Sequence, residues 1–144
     1  MDGTEVTAAP ENGYVYVAVN GYTQVELLLD GTPRFVRASG RVPRLTGMTA
    51  LMRGPLVYCF EGADNGSVRE LRIDRGVIPA VEKFDPDFLG GTTRLTAKAY
   101  RAADCDDLYS SKPEELTPCE ATAIPYYAWG NRGENEMRVW LNVK

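Results

Sequence analysis

The sequence predicts an all-β fold, an antiparallel β-sandwich of jelly-roll-like type, and three observations carry that expectation. Apolar and polar side chains alternate in several short runs, the period-two pattern of half-buried strands. Gly, Pro, Asn and Asp punctuate those runs at short intervals, as the connections of a sandwich require. With 144 residues the chain is long enough for one ordinary domain and buries roughly 68 to 70% of its unfolded surface, so a core forms without staples.

Tyr14 to Val19 is an alternating run of β-branched and aromatic residues and predicts the first strand. Asn20 and Gly21 follow as a type I′ turn, whose two central positions need positive φ, and Val25, Leu27 and Leu29 fall on one face of the returning strand. Asp30 and Gly31 close it, and a short strand is expected over Phe35 to Ala38, after Pro33. Arg41 to Gly47 is basic, bears Pro and Gly and has no periodicity, which predicts a connection between two β units with a boundary near Met48. Residues 1–47 then read as an N-terminal hairpin extension and residues 48–144 as a sandwich domain.

Thr49 to Met52 and Leu56 to Glu61 read as strands broken at Gly54 and Pro55, a pair suited to an edge or a bulge because Pro cannot donate to a ladder. Leu56 to Phe60 is apolar without interruption and is expected to be buried on both faces. Gly62 to Gly66 is a turn, and Val68 to Ile73 returns with Leu71 and Ile73 on one side. Val77 to Phe88 fits neither pattern, and its Pro79 and Pro86 argue against a long helix. Thr92 to Tyr100 is the next strand. Ala102 to Glu120 is acidic and aperiodic and predicts a surface loop, with a helical turn at Pro113 to Leu116, where Pro suits a first-turn position. In the final strand Met137, Val139, Leu141 and Val143 alternate with Arg138, Trp140, Asn142 and Lys144.

Composition narrows the functional classes. Sixteen basic and twenty acidic residues give a net charge of -4 with no dense basic cluster, which disfavours nucleic acid as a partner. No apolar run approaches the roughly 20 residues of a membrane-spanning helix, so no membrane partner is expected. The first residues lack a secretory signal. Cys59, Cys105 and Cys119 imply no disulfide framework; a Cys105 to Cys119 bridge is one arrangement and free thiols in a reducing, cytoplasmic setting the simpler one.

The chain has no histidine, which removes the commonest general base, the Ser-His-Asp triad and most catalytic zinc sites. A carboxylate pair for glycoside hydrolysis cannot be selected among twenty acidic residues, most of them in turns and loops. Cys59 lies inside an apolar strand and reads as a small buried hydrophobe with a raised thiol pKa. Gly90 and Gly91 alone make no phosphate loop, and the three dispersed cysteines make no metal motif. No catalytic or metal-ligating residue is therefore assigned. The candidate ligand-binding residues are Tyr126, Tyr127, Trp129 and Arg132: with Trp140 the rings suit the C–H faces of sugars while Arg132 and Asn131 suit hydroxyls. The competing reading is that these rings fill the sandwich core and its rim, with Asn131 to Gly133 as a turn.

Two blocks, Ala50-Leu-Met-Arg-Gly-Pro-Leu-Val-Tyr-Cys-Phe-Glu61 and Ala123-Ile-Pro-Tyr-Tyr-Ala-Trp-Gly-Asn-Arg-Gly133 continuing to Met137-Arg-Val-Trp-Leu141, resemble the C-terminal β-rich portion of glycoside hydrolase family 127, the β-L-arabinofuranosidase family. The shorter pieces Asp64-Asn65-Gly66 and Leu89-Gly90-Gly91 fall where that pattern puts them. The first hairpin departs from it, reading Val17 to Tyr22 where family members carry an Arg-x-Trp-like segment and a longer turn. The resemblance implies a helical catalytic barrel followed by sandwich regions, with residues 1–47 as the C-terminal part of a middle sandwich and 48–144 as the whole C-terminal one. It implies that the family's zinc-bound cysteine nucleophile and glutamate acid/base belong to the barrel, so no cofactor is expected in this chain. The expected role is non-catalytic, structural and oligomerising, with the parent's catalytic domain and a second copy as partners; a carbohydrate-binding module with an aromatic platform is the alternative.

Overall fold

The computed structural model describes residues 3–21, 23–104 and 108–144. They form two compact units, residues 1–30 and 31–144. In the first unit the expected hairpin is absent: no strand forms among its described residues, and Tyr14, Tyr16, Val19, Val25, Leu27 and Leu29 are exposed. A type I′ turn does form, but at Asn12–Gly13 (φ 51° and 85°), where Glu11 and Tyr14 exchange backbone hydrogen bonds. The physical reason is that an isolated two-stranded hairpin is marginal in water, and this unit supplies no third strand to cover the alternating apolar face.

The second unit is the β domain. Its nine strands among the described residues are β1 (Pro33–Val36), β2 (Met48–Arg53), β3 (Leu56–Glu61), β4 (Leu71–Ile73), β5 (Ala80–Val81), β6 (Leu95–Ala102), β7 (Leu116–Pro125), β8 (Met137–Arg138) and β9 (Leu141–Val143), with one helical turn, α1 (Gly62–Asn65), after β3. The pairing order is β1-β2-β9-β4-β6-β7-β3-β8, with β5 on β6 and a further β2–β3 pairing that closes the path on itself. Around that closed path five pairings are antiparallel and one, β4–β9, is parallel. An odd number of reversals cannot close a barrel of straight strands, so strands must turn corners between layers, as in a sandwich. The parallel pair makes the sheet mixed rather than purely antiparallel.

Local sequence explains most of these elements. Arg53 pairs with Leu56, so Gly54–Pro55 is a two-residue hairpin loop rather than an edge or bulge. Gly54 supplies the positive φ (53°) that a type II′ turn needs first, and Pro55 the fixed negative φ that follows. Arg41 to Gly47 connects β1 to β2 inside the second unit and holds a short 3-10 helix, Pro43–Leu45. On β3, Tyr58, Cys59 and Phe60 are buried on both faces as expected, whereas Leu56 and Val57 stay partly exposed.

β6 and β7 form the longest ladder, from Leu95 opposite Ala123 to Ala102 opposite Leu116. The expected surface loop over Ala102 to Glu120 therefore ends at Leu116, and no helical turn is present over 113–116. Pro118 hid the strand, and the edge geometry permits it. Thr122 turns its N–H and C=O away from β6, onto the Asn65 side chain; Pro118, an even number of residues away, turns the same way, so its missing donor costs no ladder bond. Ala97, Ala99, Ala121 and Ala123 line the inner face of this ladder, leaving room for Leu51, Tyr58, Phe60, Leu71, Ile73 and Leu141. The final strand breaks at Val139–Trp140: β8 pairs with β3 and β9 with β2 and β4, so the chain crosses between partners there.

Asn65, at the end of α1, is 7% exposed and acts as a one-residue strand. Its Nδ2 donates to the carbonyls of Glu61 (2.8 Å) and Thr122 (2.9 Å), and its Oδ1 accepts the Thr122 N–H (2.9 Å). Asn65→Ala leaves these backbone groups without partners and is expected to cost about 2 to 3 kcal/mol. Urea unfolding checks this; a loss below about 0.5 kcal/mol, the size of an ordinary surface change, would contradict the assignment.

Candidate functional site

The end of β3 carries a carboxylate into the interior. The Glu61 side chain is 0% exposed, and an ionised carboxylate there must find both charge and hydrogen-bond partners. Its Oε1 accepts the Gly130 N–H at 2.8 Å, and its Oε2 accepts from Arg132 Nε at 3.0 Å and from Arg132 Nη2. The same guanidinium donates to both oxygens of Asp64, at 2.7 and 2.6 Å. Hydrogen bonds donated to Asp64 and then to Glu61 outweigh desolvation and push the Arg132 pKa above its ordinary value, so it is a permanent cation between two carboxylates. Its guanidinium also lies 5.2 Å from the centre of the Phe88 ring, which Arg94 approaches at 4.8 Å.

This cluster fixes the turn that carries the aromatic run. β7 ends at Pro125, and Tyr126–Ala128 form a 3-10 helix that the Trp129 N–H closes onto the Tyr126 carbonyl. Ala128 is buried with Cys59 and Ile124, while Asn131 Nδ2 donates to the Ala128 carbonyl at 3.0 Å. The rings themselves stand outside the core: Tyr126 is 44% exposed, Tyr127 63% and Trp129 44%. Tyr126 and Trp129 stack with centroids 6.2 Å apart and planes 29° from parallel.

The structure thus brings Tyr126 and Trp129 together and leaves Tyr127 open to solvent. It turns Arg132 inward, onto carboxylates, rather than along the rings. Trp140 sits half-buried at the bend between β8 and β9 and makes no ring contact with the other three among the described residues. Sequence reasoning missed Glu61 and Asp64; the available signal was a carboxylate directly ending an apolar run buried on both faces.

Cys59 is fully buried, and burial, with Glu61 nearby, pushes its thiol up to about 12. It is an inert core side chain at neutral pH. Cys119 is half-buried with a free thiol, and the suggested Cys105 bridge lies outside the described residues. Among the described residues no group of three or more His, Cys, Asp or Glu side chains is placed to hold a metal ion. An open cleft of about 480 Å³ lies over β5 to β7, with Ile78, Cys119 and the cross-strand pair Lys98 and Glu120 on its walls. No helix among the described residues is long and apolar enough to cross a membrane.

Comparison with known proteins follows the β domain closely. The family model for the glycoside hydrolase family 127 C-terminal domain matches residues 33–142. A non-reducing end β-L-arabinofuranosidase of Bifidobacterium longum subsp. longum is 39% identical over 150 residues, which cover 97% of this chain and 23% of that protein. The chain thus spans about a quarter of that relative's length. Among solved structures, a family 127 β-L-arabinofuranosidase from Geobacillus stearothermophilus is 39% identical with a TM-score of 0.73, over 78% of this chain and 18% of that one. A family 127 β-arabinofuranosidase is 33% identical with a TM-score of 0.65, over 78% and 17%.

Two expectations follow from the site's geometry. Arg132→Ala strands the buried Glu61 charge and is expected to destabilise the domain by about 3 to 5 kcal/mol, with Glu61→Gln in the same background restoring part of the loss. Thermal and urea melts measure this, and a cost near that of a surface substitution would refute the lock. For Cys59 the folded pKa is raised from about 9 to about 12, so the unfolded chain ionises first. Stability is then full below about pH 9 and falls as pH rises toward 12. Cys59→Ala should flatten that alkaline decline, and native Cys59 should resist iodoacetamide at pH 8; rapid labelling of Cys59 in the folded protein would contradict both.

Proposed function

The chain belongs to glycoside hydrolase family 127, matching its C-terminal domain, and from that membership we propose that it is a non-catalytic structural domain of a longer β-L-arabinofuranosidase-like enzyme. Its work is to cover and orient a catalytic barrel that precedes it and to contribute contacts between subunits. The observation that carries this reading is the Glu61–Arg132–Asp64 cluster: the most deeply buried carboxylate among the described residues is bound by a permanent cation and a backbone N–H, which suits holding a turn in place. Glu70, Glu82 and Glu114 are likewise paired with Arg101, Arg94 and Arg72 at the surface.

The zinc that the family resemblance brings does not fit the described residues: the buried Cys59 thiol stays protonated at neutral pH, and no group of three or more His, Cys, Asp or Glu side chains among them is placed to hold a metal ion. Zinc and nucleophile belong, on this reading, to the preceding part of the longer enzyme. The residues before β1 lead in from that part, and the exposed Tyr14, Tyr16, Val25, Leu27 and Leu29 find their cover there. Purified chain incubated with a chromogenic β-L-arabinofuranoside, with and without added zinc, is expected to release no chromophore above blank. Release that persists through repurification would end the non-catalytic reading.

A further inference from the structure

We propose that the exposed ring pair Tyr126 and Trp129 is a carbohydrate-binding subsite for a neutral oligosaccharide; the choice of arabinofuranose oligomers as its probe rests on the family reading above. The core of this domain recruits Tyr58 and Phe60 and buries them completely, so it has the means to absorb large rings. Tyr126, Tyr127 and Trp129 are left outside it, with about half of each surface presented to water. The Tyr126 and Trp129 rings stack 29° from parallel and each keeps part of its apolar surface open, the kind of surface that the C–H side of a sugar ring covers. The Tyr126 phenol, on a ring 44% exposed, can both donate to and accept from a sugar hydroxyl.

Rigidity and charge sharpen the assignment. The turn beneath the rings is held by Ala128 in the core, by the Glu61 carboxylate on the Gly130 N–H and by Asn131 on the Ala128 carbonyl, so little ordering is left for a ligand to impose. Arg132 is spent on Glu61 and Asp64, and the three groups together carry one net negative charge. No free cation on this turn is offered to a carboxylate or phosphate, which selects a neutral sugar over an acidic one.

The test is titration of the purified chain with linear arabino-oligosaccharides by calorimetry and saturation-transfer NMR. Weak saturable binding is expected, with Kd on the order of millimolar. Trp129→Ala and Tyr126→Ala, both substitutions of exposed rings, should each weaken it at least tenfold while circular dichroism and the melting temperature stay unchanged. Absence of saturable binding, or binding that Trp129→Ala leaves intact, overturns the subsite and leaves the rings as a protein-facing surface. Chromatography of the sugar after titration separates the two readings: cleavage would count against the non-catalytic role and would not bear on whether the rings bind.

Discussion

One carboxylate with no access to water organises the functional end of this domain. Glu61 closes β3 at a position that β8 and α1 both cover, and desolvation of its charge is tolerable because Arg132 and the Gly130 N–H reach it together. Those partners lie about seventy residues further along the chain, beyond β7. The requirement to satisfy one buried charge therefore fixes how the turn after β7 returns over β3, and with it the placing of every aromatic ring on that turn. Asp64 joins the same guanidinium from α1, so strand, helical turn and loop share one hydrogen-bonded centre.

β3 is the strand on which both halves of the core converge. Tyr58 and Phe60 face the large cluster with the alanines of β6 and β7, and Cys59 between them faces the small cluster with Ile124 and Ala128. The alternation of a single strand thus separates two cores, one under the long ladder and one under the aromatic turn. The small side chains on β6 and β7 matter as much as the large ones, because close packing leaves the larger rings and branched chains no other space.

Much of this was legible in residues and their spacing. The two-faced burial of Tyr58 to Phe60, the strands around Gly54–Pro55 and the β class itself follow from local pattern, because there the local preference and the tertiary packing agree. β7 was not legible: Pro118 and a run of small residues weaken its pattern, and its legality depends on Asn65 capping the far edge, a contact 57 residues away. The break in the last strand has the same origin, since the alternation of Met137 to Val143 is intact while its two halves answer to different partners. The first hairpin shows the reverse case, a clear local pattern that goes unformed where nothing covers its apolar face. At the candidate site the rings announced themselves by composition, whereas the ion cluster beneath them depended on a meeting of distant residues.

Asn65 also bears on how the protein ages. It is followed by Gly66, and an Asn–Gly bond is the sequence most open to deamidation, in which the glycine nitrogen attacks the side-chain amide carbon and expels ammonia. In the folded domain the amide is clamped by three hydrogen bonds and the Gly66 N–H donates to the Gly62 carbonyl at 2.8 Å, so the attacking and attacked groups are both engaged. Unfolding releases both, and the carboxylate that results has no hydrogens to donate to Glu61 and Thr122. Each excursion from the native state therefore exposes the molecule to a chemical change that removes its one-residue strand, and folding itself is what preserves the residue on which folding relies.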